Sequence, residues 1–150
     1  MKQGLFLHST DLLDDSFFEK AVIFIAEYNE KGAMGFVVNR LFPRRLNELE
    51  EFKQVGPFPV YVGGPVDQEH IYFVHRRPDV IAGGSLVAGD VFLGGDFKDV
   101  VRGIRNGVIG EEDVKVFIGY CGWDGVELEE EVEEGSWEVM EKAEVFGDFF

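Results

Sequence analysis

Residues 21–38 read AVIFIAEYNEKGAMGFVV. Ala21 to Tyr28 is rich in β-branched and aromatic side chains, the composition of a strand buried on both faces. Asn29-Glu30-Lys31-Gly32 is turn chemistry with Gly at its end, and Ala33 to Val38 is the returning strand. This hairpin sets the pattern for the rest of the chain. Gly occurs 19 times in 150 residues and falls between short apolar runs, which suits many short strands joined by tight turns. No repeat and no Pro/Ser-rich linker divides the sequence, so residues 1–150 are expected to form a single domain. A chain of this length buries enough surface to fold without a disulfide or a metal.

Outward from the hairpin, Leu5-Phe6-Leu7 is a short strand and Asp11 to Ser16 a loop. Leu46, Leu49 and Phe52 follow helical spacing, with Glu48, Glu50, Glu51 and Lys53 between them. That predicts a short amphipathic helix, ended by Pro57 and Pro59. Strands are predicted at Val60–Val62 and Ile71–Val74, separated by Gly63-Gly64-Pro65, and at Val80-Ile81 and Val91–Leu93. Asp96 is an N-cap with Asp99 in the first turn, where the dipole favours acid. Phe97, Val100, Val101 and Ile104 then share one helical face, Arg102 and Arg105 occupy the last turn, and Gly107 closes it. Val114–Ile118 is a strand. Asp124 with Glu127 three residues on makes a capping box for a helix to about Glu134, stopped at Gly135, with Leu128 and Val132 facing the core. Trp137 begins a last strand. The mixture is α+β, with antiparallel hairpins and two or three helices.

The net charge is −15. From Glu111 to Phe150 fourteen acidic residues face Lys115 and Lys142 alone. The plain reading of that stretch is a solvated helical face. Such a chain repels duplex DNA, so no direct nucleic-acid contact is expected. Cys121 is the single cysteine, which fits a reducing compartment. His8 and Asp11 interrupt the first apolar run too early for a signal peptide, and the longest later run, Ala21 to Ala26, is too short to span a bilayer. The expected location is the cytoplasm, with no membrane partner.

Catalytic signatures are absent from the sequence. There is no P-loop, and Asp96 occupies the helix N-terminus behind Gly94-Gly95 where a phosphate would sit. His8, His70 and His75 are scattered and lack zinc spacing with Cys121, and Glu129, Glu130 and Glu131 would hold a hard cation only weakly, so neither metal nor cofactor is expected. Cys121 has no neighbouring His or Lys to activate it and reads as a small buried thiol. Basic residues cluster at Arg40, Arg44 and Arg45 and again at Arg76 and Arg77. They read either as an anion-binding cleft or as surface ion pairs with the acidic C-terminal part.

Four stretches, FFEKAVIFIAEYNEKGAMGFVVNR (17–40), VYVGGPVDQEHIYFVH (60–75), VFLGGDF (91–97) and FIGYCGWDGVELEEEVEEGSW (117–137), together resemble the YqgE/AlgH family, also called DUF179 or UPF0301. The resemblance covers nearly the whole chain. It implies a bifurcated, mixed but largely antiparallel sheet folded as a pseudo-barrel, with helices packed outside. It also implies a bacterial source and a cytosolic location. It implies no established reaction; the family's transcriptional-regulator label comes from a member linked to alginate synthesis. The family's typical positions map onto Gly35, Asn39 and Arg40, then Gly63, Gly64, Pro65, Val66 and His75, then Gly119, Tyr120, Gly122, Trp123, Leu128 and Glu129. Tyr28 stands where the family often has His, Val126-Glu127 where it has Gly-Gln, and Cys121 where it has Ala or Ser.

The function these residues suggest is a non-enzymatic binding or regulatory protein. Asn39, Arg40, His75, Tyr120 and Trp123 would line one cleft, polar anchors beside an aromatic wall. Gly63, Gly64, Pro65, Gly119 and Gly122 would let backbone approach a ligand closely, and Glu129 would complete the set. The same glycines could instead serve turns and packing, with Trp123 in the core. The expected partner is a small anionic ligand or another protein. The alternative is a hydrolase using a cleft around His75 and Cys121.

Overall fold

The computed structural model describes residues 1–140 and 143–146. The hairpin forms as its sequence predicts: β2 (Val22–Asn29) returns as β3 (Gly32–Val37), with Ile23 opposite Val37 and Tyr28 opposite Ala33. Both faces of β2 are buried. Ile23 and Ile25 enter one apolar cluster with Leu7, Val37 and Trp137, while Phe24 and Ala26 enter another with Phe6, Phe36 and Phe117. That is why its run of apolar residues shows no alternation.

Around this hairpin lie β1 (Phe6–Ser9), β4 (Val60–Val62), β5 (Val66–His75), β6 (Ser85–Ala88), β7 (Val91–Leu93), β8 (Val114–Asp124) and β9 (Trp137–Met140). The strands run β6-β7-β5-β8-β3-β2-β1-β9, with β4 branching from β8. The sheet stays open at β6 and β9. Its N-terminal leader nonetheless reaches across: the Gln3 side-chain amide donates to the Val87 carbonyl at 3.0 Å. Phe6, Phe24, Phe36, Val74, Val87 and Phe117, drawn from six strands, pack into the concave interior this produces.

The fork lies in β8. Its first half pairs in parallel with β4, Val60 opposite Val116 and Val62 opposite Ile118. Its second half pairs antiparallel with β3, Gly35 opposite Cys121 and Gly32 opposite Asp124. Between the halves, Gly119 has φ +74°, a left-handed conformation that glycine adopts without strain. It reverses the alternation. Before it, Phe117 points into the interior and Val114 and Val116 point outward; after it, Tyr120 packs toward the interior and Cys121 and Trp123 point outward. Gly63 bridges the fork. Its N–H donates to the Ile118 carbonyl at 2.8 Å, and its carbonyl accepts the Val37 N–H at 2.7 Å.

The outward faces carry two further clusters. One, around Trp123 and Trp137, is covered by α2 (Glu127–Glu133) through Leu128. The other, around Val60, Phe73 and Val116, is covered by α1 (Phe97–Arg105) and by the segment holding Leu46, Val55 and Phe58. The Asp96 side chain caps α1 by accepting the Lys98 N–H at 2.9 Å.

Three sequence expectations are corrected. The helix over Leu46–Phe52 is two 3-10 turns, Leu46–Glu48 and Glu50–Phe52, parted by extended backbone at Leu49. Val80-Ile81 is not a strand but a turn, with the Ile81 N–H on the Arg77 carbonyl at 2.9 Å; Ile81 is apolar because it is a core wedge. The strand lies further on, at β6, as the hairpin partner of β7. Asp124 is not the cap of α2, whose N-cap is Val126, although Glu127 does accept the Asp124 N–H at 3.1 Å. Lys142, counted with the acidic stretch, lies outside the described residues. Among the described residues no helix is long and apolar enough to cross a membrane.

Candidate functional site

The residues marked out by sequence fall into four separate places. At the end of β3, the Asn39 side chain accepts the Val22 N–H and donates to the Lys20 carbonyl, both at 2.9 Å. Arg40 stacks 4.5 Å above the Phe17 ring and donates to the Glu19 carbonyl at 3.3 Å. Both side chains fasten the chain leading into β2. At the fork, Gly63, Gly64, Pro65, Gly119 and Tyr120 do gather. A Cβ on Gly63 would meet the Gly119 carbonyl oxygen at 2.4 Å, and one on Gly64 would meet the Tyr120 carbonyl at 2.1 Å. The close approach these glycines permit is therefore chain on chain. Tyr120 lies edge-on to Tyr72, with ring centroids 5.4 Å apart.

Gly122 sits in the ladder opposite Met34. Trp123 is 7% exposed, and its indole N–H donates to Glu131 Oε1 at 3.1 Å. The same oxygen accepts the Trp137 indole at 2.9 Å. Glu129 on α2 has one buried carboxylate oxygen with no hydrogen-bond partner among the described residues.

His75 stands apart from all of these. It pairs with Val114, whereas Cys121 lies seven residues further along β8, roughly 23 Å at the rise of a strand. The structure does not bring the two into one cleft. His75 is fully buried between the Phe73 and Phe92 rings. Its Nδ1 accepts the Arg77 N–H and its Nε2 lies on the Gly94 carbonyl, each at 3.1 Å. Burial pushes its pKa down, so the ring is neutral. Cys121 donates its thiol to the Gly63 carbonyl at 3.3 Å, and burial pushes its pKa up to about 12. A thiol held in that form is not a nucleophile at neutral pH.

The arginine clusters divide as well. Arg77 pairs with Asp79 at 3.0 Å and reaches Asp113, in the acidic stretch, at 3.4 Å. Arg76 lies 4.9 Å above the Phe146 ring.

A groove of about 770 Å³ opens elsewhere, between the 3-10 turn Glu50–Phe52 and α1. Its apolar wall is Phe52, Phe97 and Val101, with the two rings 5.3 Å apart. Its charged lining is Lys53, Lys98, Arg102 and Arg105, with Glu50 and Glu51 at one side. Helix geometry makes this arrangement. Phe97, Val101 and Ile104 pack toward the cluster beneath, and Lys98, Arg102 and Arg105, four and three residues apart, run as a stripe beside them. Arg102 pairs with Asp99 at 3.2 Å and Lys53 with Glu50 at 3.9 Å. Lys98 and Arg105 make no ion pair among the described residues. The groove thus sets four cationic side chains against Glu50 and Glu51 in a chain of net charge −15. Sequence reading assigned Arg102 and Arg105 to the helix dipole; the spacing from Lys98 was the signal that could have revealed the stripe.

Sequence reading also missed a strained polar cluster at the start of β5. Val66 pairs with Tyr120 and Ile71 with Ile118, so five steps along β5 match two along β8 and the residues between bulge out. Asp67, at φ +53°, accepts His70 Nδ1 at 2.6 Å and the Tyr72 hydroxyl. These bonds hold the Asp67 carboxyl below its ordinary range, raise His70, and push Tyr72 up to about 12. Nothing in the residue types of this stretch announces a bulge.

The AlgH-like family model, DUF179, matches residues 6–147. A UPF0301 protein of Chlorobium phaeobacteroides is 35% identical over 97% of this chain and 79% of its own length. One of Chlorobaculum tepidum is 37% identical over 99% of this chain and 80% of its own. The solution structure of the AlgH protein from Pseudomonas aeruginosa superposes with a TM-score of 0.73 at 28% identity, covering 95% of this chain and 82% of that one. The family match over nearly the whole chain, the identities and the superposition agree, and the chain belongs to the AlgH-like family, DUF179 or UPF0301.

Proposed function

We propose that this protein is a non-enzymatic binding protein whose ligand is a small organic anion held in the groove between Glu50–Phe52 and α1. One observation carries the reading: four cations line a groove of about 770 Å³ in a strongly acidic chain, and two of them, Lys98 and Arg105, have no ion-pair partner among the described residues. Ligand pockets of about 300–1,000 Å³ with an apolar wall and a few polar anchors are the usual form of a small-molecule site. The inert Cys121 and the neutral, enclosed His75 support binding over covalent chemistry. A regulatory role acting through a protein partner, without DNA contact, is the biological form that suits this charge, and a reducing cytoplasm suits the single thiol.

A thermal-shift screen with pooled anionic metabolites tests the reading. A ligand at 100 times its dissociation constant should add about 2.7 kcal/mol, or about 5–10 °C in midpoint for a domain of this size. The shift should vanish in the Lys98→Ala/Arg105→Ala protein, whose own midpoint stays near that of the parent. A hit that survives the double substitution would place the ligand elsewhere.

A further inference from the structure

We infer that residues 143–146 are a releasable strap on the concave interior, and that the interior, once released, takes a short peptide segment of a partner protein in which a β-branched residue precedes an aromatic one. This site is separate from the anion groove and does not depend on it. The strap reads Ala-Glu-Val-Phe. Val145 is buried in the interior cluster, and Ala143 and Phe146 pack against it. Together with Phe6 and Phe24 of β1 and β2, and with Ala88 and Val91 at the β6–β7 turn, the strap lines a recess of about 240 Å³. It therefore sits between the two arms of a sheet that stays open at β6 and β9.

The strap is held as a bound peptide is held. Among the described residues it makes no backbone–backbone hydrogen bond to any strand. Its anchors are three. The Val145 side chain enters the apolar interior, the Val145 carbonyl accepts Lys115 Nζ at 3.2 Å, and the Phe146 ring lies 4.9 Å beneath the Arg76 guanidinium. Lys115 is itself buried and stands 4.2 Å over the Tyr61 ring, so its ammonium is fixed where a main-chain oxygen reaches it. These anchors recognise a main-chain carbonyl, a β-branched side chain and an aromatic ring in sequence. A peptide supplies all three, and a hydrocarbon ligand supplies no carbonyl. The recess beside the strap marks an incomplete fit, because a domain interior leaves few voids larger than a water. A segment without ladder bonds opens at lower cost than the strands beneath it. A partner segment that keeps the three anchors and fills the recess would then take its place.

Thiol labelling of the full-length Val145→Cys protein tests this. The substitution is close to valine in size, and the native buried Cys121 is an internal reference for opening of the whole domain. Circular dichroism confirms the fold, and each site is followed by peptide mass. The introduced thiol should react roughly a hundredfold faster than Cys121. The synthetic peptide EKAEVFGD, the sequence of residues 141–148, should raise that rate further and saturably while Cys121 is unchanged. The same peptide with Val145→Ser and Phe146→Ser should leave it unchanged. Equal rates at the two thiols mean that the strap opens only with the whole domain, and overturn the proposal. A fast rate that the peptide does not raise, or that the serine peptide raises equally, overturns the peptide site. Wild type gives a second readout that needs no substitution: the fluorescein-labelled peptide should bind saturably by anisotropy and the serine peptide should not compete. Absence of binding there overturns the proposal. No anion enters these readouts, so a silent anion screen leaves them standing.

Discussion

Replacing Gly64 with Ala would place a Cβ 2.1 Å from the carbonyl carbon and oxygen of Tyr120 and 2.5 Å from the Cys121 nitrogen. Those atoms are backbone in the middle of the longest strand, so no rotamer change can relieve the overlap. Either the Gly63–Pro65 segment lifts away from β8 or β8 bends. Lifting endangers the two bonds that Gly63 makes across the fork, to Ile118 and from Val37, each worth about 1 kcal/mol net. Overpacking of a tight interior adds about 1–3 kcal/mol. The expected loss is therefore about 3–5 kcal/mol, a large part of the 5–15 kcal/mol that holds a typical domain. In urea, with a slope of about 2 kcal/mol/M for a chain of this length, the midpoint should fall by about 2 M. Gly56, where a Cβ meets nothing within 4 Å, is the control: Gly56→Ala should leave the midpoint within about 0.3 M. A Gly64→Ala protein with unchanged stability but lost ligand binding would refute the reasoning. It would return the glycine pair to the role that sequence first suggested, a cradle for a ligand.

Other outcomes follow from individual side chains. Cys121 should resist iodoacetamide in the folded protein from pH 7 to 9 and react promptly in 6 M guanidinium; fast native labelling would contradict its burial and its raised pKa. Glu131→Leu removes the oxygen shared by two indole N–H groups, and should cost about 2–4 kcal/mol and shift the tryptophan emission. Glu131→Gln, which keeps an acceptor, should cost less than half as much; equal losses would show that the shared bond is not the cause. The bulge pair has a defined pH window. His70, raised above 6.5 by its bond to Asp67, contributes stability that is fully present below 6.5 and lost as pH rises through its folded pKa. Asp67, lowered from 3.8, contributes stability present above 3.8 and lost as pH falls through its folded pKa. The stability difference between wild type and His70→Gln should therefore be greatest near pH 5 and shrink above neutrality. An NMR titration of the His70 ring with a midpoint at or below 6.5 would refute it.

The parts of the fold readable in sequence are those whose burial follows one local rule. Strand β2 is apolar on both faces because two clusters meet there, and α1 carries a cap, a period and a stop. Where the rule breaks within an element, the element hides. The second half of β8 reads GYCGWD, and its alternation is inverted by Gly119, so only Val114–Ile118 looks like a strand. Leu46, Leu49 and Phe52 satisfy a helical period over seven residues, yet two 3-10 turns bury the same side chains; the period alone cannot separate them.

The site shows the same limit in a sharper form. A glycine pair says that something passes close to the backbone, and nothing in the pair says whether that is a ligand or the chain itself. At Gly63, Gly64 and Gly119 it is the chain, because β3 and β4 converge on β8 at the fork and the backbones leave no room for a Cβ. Asn39 and Arg40 show the same substitution of roles, since their polar atoms bind the backbone of residues 19–22. A residue tied into such a fork answers to the fold before it answers to any ligand. Lys98 and Arg105 make no ion pair among the described residues, and for that reason they are the side chains through which an anion would be felt. Exchanging their charge should change binding with little change in stability, and exchanging Gly64 should do the reverse.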